Sequence, residues 1–324
     1  GNKSVNRRGV LKLFSAGAVT ALVGQVAWHV RDTAEPLLYE DIVTNPQEMA
    51  RSIRYMTTRT PDSGALLDMF KAHKSQAMLA EVGREERYRQ KMLNFEQAHQ
   101  DDVFLADNQY QFVVSAFSRL GRLQTLVGHG NFNVIGFDEM LRLSVRYPVV
   151  GEFPPAEVAF LDELFSSSAK RYGFFGEKVI NELTAQIPER ERVKMPGTGH
   201  FLFKGDSLQV YSKLQKDLGQ SVILTSGIRS VVKQTHLFLA KTIQAKGNLS
   251  LASRSLAPPG HSFHGVGDFD VGKVGLGASN FTDVFAETAE FQQLVDLGYV
   301  SMRYPKDNQL GVRYEPWHVK VVST

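Results

Sequence analysis

The stretch Pro258-Pro-Gly-His261-Ser-Phe-His264-Gly-Val-Gly-Asp268-Phe-Asp270-Val-Gly272 contains two histidines and two aspartates between turn-forming residues. If the backbone from Asp268 to Asp270 is extended, both carboxylates project from the same face. Two carboxylates side by side are costly unless a cation or several hydrogen bonds stabilise them. The stretch therefore predicts a polar site, with both carboxylates on one face if this backbone is extended.

Around this stretch, short apolar runs alternate with helical patterns and with Gly and Pro turns. These runs are Phe201 to Phe203, Ser221 to Thr225 and Val319 to Val322. The alternation predicts an α+β domain with a small antiparallel sheet. A polar segment rich in Pro and Gly, residues 187–199, precedes it. We therefore expect this domain to cover residues 193–324.

The preceding region, residues 32–192, has mainly helical periodicity. It predicts one helix from Ala65 to about Gln100 and a second around Tyr110 to Leu126. A third follows Phe153-Pro154-Pro155, because proline suits the first turn of a helix. Its apolar stripe continues after Gly173, from Phe174 to Leu183. No motif in this region predicts a function.

The charge of the chain divides unevenly along its length. The formal charge of the whole chain is +3, but residues 1–31 hold five basic residues and no acidic one, which leaves 32 Lys and Arg against 34 Asp and Glu elsewhere. A nucleic-acid-binding protein would keep a basic surface on its folded part, so this distribution argues against DNA or RNA as a partner. The absence of cysteine excludes disulfides, a thiolate nucleophile and Cys-ligated metal sites.

The N-terminal segment, residues 1–31, has the pattern of an export signal. Asn6-Arg7-Arg8-Gly-Val-Leu-Lys12 precedes an uncharged run from Leu13 to Trp28, and it resembles the bacterial twin-arginine motif. The resemblance implies recognition by the twin-arginine export machinery and a location in the periplasm or cell envelope. The run is shorter than the roughly 20 residues of a spanning helix. Since the sequence shows no second segment of 18 apolar residues, we expect membrane contact only through this leader. A retained interfacial anchor is the alternative to a cleaved signal.

A second cluster, Tyr314-Glu315-Pro-Trp-His318, adds a histidine and a glutamate. Because Pro316 disfavours a helix interior, a turn or bulge must bring Glu315 and His318 to one site. A catalytic zinc site without cysteine needs three N or O ligands, an open position for water, and a carboxylate that accepts the proton of that water. Two histidines, one aspartate and a spare glutamate meet this requirement.

Five motifs resemble, in order and spacing, those of the VanY-like zinc D-alanyl-D-alanine carboxypeptidases. They are Thr225-Ser226-Gly-Ile-Arg229-Ser230, Gln234, Ser262-x-His264-x-x-Gly267 with Asp270, Arg303-Tyr304-Pro305, and Glu315-Pro-Trp-His318. The resemblance covers about the last two fifths of the chain. The wider superfamily also includes lysostaphin-type endopeptidases and hedgehog signalling domains.

The resemblance implies a peptidase that hydrolyses peptidoglycan stem peptides with a Zn²⁺ cofactor. Glu315 would assist the attack of a zinc-activated water as general base and acid, and Arg229 would polarise the scissile carbonyl. The remaining roles implied are zinc ligation by His264, Asp270 and His318, and substrate binding by Ser226, Gln234 and Ser262. A peptidoglycan endopeptidase and a non-catalytic, zinc-containing wall-binding module are the alternative functions.

The sequence departs from the family in the spacing of the aspartate. The family places it seven residues after the first histidine, whereas Asp270 is six residues after His264 and Asp268 is seven after His261. We favour His264 with Asp270 and a one-residue deletion, because Ser262 and the glycines then keep their places. Asp268 would then fix the tautomer of a ligand histidine, and His261 would be a loop residue near the mouth of the site.

Overall fold

The computed structural model describes residues 63–298 and 303–321 of the chain. The chain divides into two compact units, residues 1–84 and 85–324. The predicted leader, residues 1–31, lies outside the described residues. The described part of the first unit is helical and belongs to the helix Ser63–Leu93.

Helices dominate the described residues and form most of the region before residue 192. In chain order they are α1 (Ser63–Leu93), α2 (Asp107–Val127), α3 (His129–Phe132), α4 (Phe137–Arg146), α5 (Pro155–Ser166), α6 (Asp206–Leu218), α7 (Val231–Gln244), α8 (Leu249–Ser255) and α9 (Ala289–Asp296). Short 3₁₀ helices lie at Ala169–Tyr172, Glu189–Glu191, Gly219–Ser221, Phe263–Gly265, Gly277–Phe281 and Asp283–Glu287.

The described residues from Arg192 onward form two small antiparallel sheets. The strands β1 (Arg192–Lys194) and β2 (Phe201–Phe203) form a hairpin. The strands β3 (Val222–Ser226), β4 (Phe269–Lys273) and β5 (His318–Val319) form a second sheet in the order β3-β4-β5. The described residues therefore have the predicted α+β class, with helices first and a small antiparallel sheet in the C-terminal part.

Two hydrophobic cores stabilise the second unit. The first core joins α2 and α5 to α7 and α8, so it contains residues from both sides of residue 192. The second core lies between the three-stranded sheet and helices α6 and α9. Phe269, Val271 and Val319 project from the sheet into it and are at most 1% exposed. Side chains alternate along a strand. Asp270, between Phe269 and Val271, and His318, before Val319, therefore face away from this core.

The segment Phe174 to Leu183 differs from the sequence prediction, because it does not continue the preceding helix. Gly173 ends the 3₁₀ turn with a positive φ of 92°. Beyond it, the Phe175 amide donates to the carbonyl of Leu310, and the amides of Val179 and Ile180 donate to that of Gly260. These long-range hydrogen bonds replace the helical ones, so the apolar side chains lie on an irregular segment.

None of the helices in the described part of the chain combines the length and the apolar character needed to span a membrane.

Candidate metal centre and active site

The register of the three-stranded sheet aligns three of the predicted site residues. Asp270 on β4 pairs with His318 on β5 and with Ser226 on β3. The β3–β4 register shifts between Leu224 and Ser226. Leu224 faces the core, and without this bulge Ser226 would face it as well. The extra residue in β3, Thr225, turns the Ser226 side chain to the face that carries Asp270.

Glu315 reaches the same face through a turn. The backbone amide of His318 donates to the carbonyl of Glu315, with Pro316 inside the turn. The Oε2 atom of Glu315 lies 3.7 Å from Nδ1 of His318. The turn expected from Pro316 therefore brings the glutamate beside the histidine, where its side chain is 12% exposed.

His264 enters from the 3₁₀ helix Phe263–Gly265 and is 2% exposed. Its Nδ1 lies 2.8 Å from the carbonyl oxygen of Gly227. Because a carbonyl only accepts, Nδ1 carries the proton and Nε2 is left with a lone pair. That Nε2 lies 3.2 Å from Oδ1 of Asp270.

Three ligand atoms converge on one point between these elements. Nε2 of His264, Oδ1 of Asp270 and Nδ1 of His318 all lie within 4.8 Å of one another. Oδ1 is 3.2 Å from the first nitrogen and 3.3 Å from the second. Ligands about 2.0–2.2 Å from a tetrahedral zinc are about 3.3–3.6 Å apart. Oδ1 of Asp270 is buried without a hydrogen-bond partner, which is the state expected of an atom that faces a metal.

Asp268 lies behind His318 and faces its other nitrogen. Oδ2 of Asp268 is 2.8 Å from Nε2 of His318, so the proton is held there and Nδ1 faces Asp270. Arg303 donates to both oxygens of Asp268, and the amide of Val321 donates to Oδ1 at 2.9 Å. Both carboxylate oxygens of Asp268 therefore accept hydrogen bonds, and this carboxylate orients the His318 ring. Asp270 is the aspartate that lies beside both histidines.

Arg229 lies next to Asp270 with its side chain 14% exposed. Its Nη2 donates to Oδ2 of Asp270 at 2.6 Å, and its Nε donates to Oγ of Ser226 at 2.9 Å. These bonds fix the guanidinium plane. Among the described residues, none accepts a hydrogen bond from Nη1, so that nitrogen remains available to a substrate.

Burial and neighbouring charges shift the protonation of this cluster. Burial raises the pKa of Glu315 to about 7, although His318 opposes the shift. Burial alone would lower the pKa of His318, but its hydrogen bond to Asp268 and the negative charge of Asp270 raise it to about 9. Burial likewise opposes ionisation of Asp270, yet electrostatic interactions with His264 and Arg229 hold its pKa well below the usual value.

The other predicted residues lie around the cluster with different contacts. Gln234 is 2% exposed, and its Nε2 donates to the carbonyl of Ala257 at 2.6 Å while its Oε1 is buried without a partner. Ser262 is 5% exposed and precedes the 3₁₀ helix that carries His264. His261 is not at the mouth of the site, because it is buried with its ring 5.2 Å from that of Phe174.

Two basic residues near the cluster were not found from the sequence. Burial and the charge of Arg229 lower the pKa of His200 to about 4 and that of Lys233 to about 8. Both side chains are half-buried. His200 is isolated in the sequence, and Lys233 stands in a helix whose charge pattern is ordinary. Only the spacing of Lys233, four residues after Arg229, could have indicated it.

A family model described as VanY, D-alanyl-D-alanine carboxypeptidase, matches residues 206–324. This match includes all eight residues predicted as ligands, catalytic groups or substrate contacts. It does not extend to the helical region before it. A search of curated proteins found no match.

The solved structures that are similar to part of the chain include three with a TM-score of 0.34 each. An LD-carboxypeptidase, LdcB, is 25% identical over 40% of this chain and 63% of its own, so less than two thirds of that protein is covered. A vancomycin-resistance D,D-pentapeptidase, VanY, in complex with Zn(II) is 22% identical over 45% of this chain and 86% of its own. VanYB in complex with D-alanine-D-alanine is 26% identical over 42% and 81%.

Proposed function

We propose that this chain is a zinc-dependent peptidase of peptidoglycan stem peptides, acting as a D-alanyl-D-alanine carboxypeptidase. The convergence of His264, Asp270 and His318 beside Glu315 is the observation that carries the proposal. The family-model match over residues 206–324 supports the substrate class.

The donor set supports zinc as the resident metal. Two imidazole nitrogens and one carboxylate oxygen form a three-ligand set of the kind found in catalytic zinc sites, where a fourth position is left to water or substrate. The ligand spacing and the unpartnered Oδ1 of Asp270 fit such an ion. When bound, zinc supplies Lewis-acid activation of a water and of the scissile carbonyl.

Glu315 is the proton carrier in this proposal. Its pKa of about 7 suits a group that must both accept and donate a proton near neutral pH. The carboxylate takes a proton from the attacking water as the oxygen bonds to the carbonyl carbon. It then delivers that proton to the amine nitrogen as the C–N bond breaks. The products are a free amine and a new carboxylate.

Arg229 stabilises the charge that develops on the carbonyl oxygen. Asp270 and Ser226 hold its guanidinium in place, so little reorganisation is needed when the charge appears. Ser262 is the predicted substrate contact beside His264. Gln234 contributes by its hydrogen bond to Ala257, at the start of the loop that leads to His264.

Purified muropeptides test this function directly. We expect the zinc-loaded protein to remove one alanine from pentapeptide stems, which mass spectrometry detects as the loss of a single residue. Split cross-links or shortened stems would instead identify an endopeptidase. No change in any muropeptide would support a wall-binding module and contradict the peptidase.

The proposed location is the cell envelope, and it depends on the leader with Arg7 and Arg8. Replacing both arginines with lysine tests the proposal, because export by the twin-arginine route should then stop. Unchanged export of the double variant would contradict that route.

A further inference from the structure

His200 lies directly against the backbone that holds one of the candidate metal ligands. The amide of Ile228 donates to the carbonyl of Phe201 at 2.8 Å, which joins the start of β2 to the loop after β3. At Gly227 a Cβ would collide with the Phe201 carbonyl and come 3.4 Å from the Cβ of His200. The carbonyl of the same glycine holds Nδ1 of His264.

Asn133, in the helical region, sets the orientation of the His200 ring. Its Nδ2 lies 3.3 Å from the carbonyl oxygen of Gly199 and 3.4 Å from Nδ1 of His200. A carbonyl only accepts, so the group facing Gly199 is the amide NH₂, and Nδ1 of His200 must accept from it. The proton of the neutral ring is therefore on Nε2, which has no partner among the described residues.

Lys233 adds a positive charge near His200, because the pKa of His200 is lowered by burial and further by the charges of Arg229 and Lys233. It lies in the first turn of α7, where its backbone amide donates to Oγ of Ser230. Its Nζ donates to Oε1 of Gln124 at 3.0 Å and lies 5.5 Å from the ring centre of Phe132. Among the described residues, no carboxylate forms an ion pair with this ammonium group.

One short part of the helical region, residues 124–133, contacts both Lys233 and His200. Gln124 and Phe132 contact Lys233, and Asn133 contacts His200. The carbonyl of Asn133 also accepts from the amide of Ser230, beside Arg229. The two groups are thus placed by residues 124–133, which lie outside the segment matched by the family model.

We infer that Lys233 and His200 form a carboxylate-binding subsite, which makes a free C-terminal carboxylate a requirement for the substrate. The inference rests on the proposed function and adds to it the residues that recognise the C-terminal end of the substrate. Lys233 supplies the charge, Nε2 of His200 supplies an oriented hydrogen bond, and Asn133 is a positioning residue. Arg229 is compensated by Asp270 and remains available to the scissile carbonyl.

Binding of diacetyl-L-Lys-D-Ala-D-Ala and of its C-terminal amide separates this role from a structural one. Both peptides are titrated by calorimetry into the zinc-loaded Glu315→Gln variant, so that turnover does not interfere. We expect the acid to bind at least tenfold more tightly than the amide, as for a hydrogen bond to a charged group. Adding Lys233→Met should remove most of that preference, and adding His200→Leu part of it.

Two further variants complete the test. His200→Gln keeps a donor near the position of Nε2 and should bind the acid more tightly than His200→Leu does. Lys241→Met is the matched control, because Lys241 is also half-buried on α7 but lines a separate cavity with Arg313. It should leave the preference for the acid unchanged.

The outcomes distinguish the inference from the proposed function. Equal affinity for acid and amide, or an unchanged preference in Lys233→Met, overturns the carboxylate subsite even if the wild type hydrolyses peptides. A preference for the acid that depends on Lys233, in a wild type that hydrolyses no peptide, overturns the proposed function and keeps the subsite.

Discussion

At the scale of single residues, His318 connects the metal site to its electrostatic support. Its Nδ1 faces Asp270 and its Nε2 faces Asp268, which Arg303 holds in turn. In the metal-free protein this arrangement raises the pKa of His318 to about 9. A histidine must be neutral to bind a metal, so a metal has to displace that proton.

Zinc affinity should therefore depend on pH. Because one proton is displaced from His318, we expect the affinity to rise about tenfold for each unit between about pH 7 and pH 8. Competition with a chelator of known affinity measures it. Asp268→Asn should weaken zinc binding by about 10–100-fold and flatten this dependence, because the support of His318 is weakened. A wild-type affinity that is independent of pH would contradict the assignment.

Most of the residues in the candidate site could be predicted from the sequence, because they stand in short motifs with fixed spacing. The choice between Asp268 and Asp270 could not be settled there, since it depends on the pairing of β4 with β5. His200 and Asn133 could not be found at all, because long-range packing alone brings them together.

At the scale of elements, the loop after β3 determines where His264 lies. Gly227 has no room for a side chain because the Phe201 carbonyl lies against it, and its own carbonyl holds the His264 ring. The helices and strands near this loop follow the sequence pattern. The segment from Phe174 to Leu183 does not, because distant carbonyl groups bind its backbone amides.

Gly227→Ala should therefore damage both the fold and the site. We expect it to lower the free energy of unfolding by about 1–3 kcal/mol, the cost of overpacking, and to weaken zinc binding by moving His264. Denaturant unfolding and zinc titration measure the two effects. Gly121→Ala on α2 is the control, because a Cβ there meets nothing within 4 Å, and it should be stabilising by up to about 1 kcal/mol. Equal behaviour of the two variants would contradict this role of Gly227.

At the scale of the whole molecule, residues 85–324 form one compact unit. Leu239 and Phe238 on α7 are fully buried in the core shared with α2 and α5. Arg254 on α8 forms a buried ion pair with Asp102, whose pKa it lowers to about 2 against the effect of burial. The domain boundary at residues 192–193 remains a prediction. Because one hydrophobic core contains residues from both sides of this boundary, we expect the two parts to depend on each other for stability.

A fragment of residues 193–324 should accordingly fold poorly, whereas residues 85–324 should unfold in one cooperative transition. The fragment would expose the α7 face that contacts α2 and leave the charge of Arg254 unpaired. Thermal unfolding followed by circular dichroism compares the two. A sharp transition of the fragment would instead support independent folding from residue 193.

In the same unit, Asp102 should contribute to acid stability. Its pKa is about 2 in the folded protein, compared with an ordinary value of 3.8. Its contribution of about 2 kcal/mol is therefore present above about pH 4 and lost as the pH falls towards 2. Asp102→Asn should reduce this loss in acid unfolding experiments. An identical acid transition in the variant would contradict the role of the pair.

The central claim, that Glu315 carries the proton at a zinc site formed by His264, Asp270 and His318, is tested most directly by one paired measurement. Zinc content and alanine release from a pentapeptide stem are measured for the wild type and for Glu315→Gln. We predict one zinc per chain in both proteins and a rate at least about 100-fold lower in the variant, because only the general base and acid is lost. Full activity of Glu315→Gln with zinc bound would contradict the account.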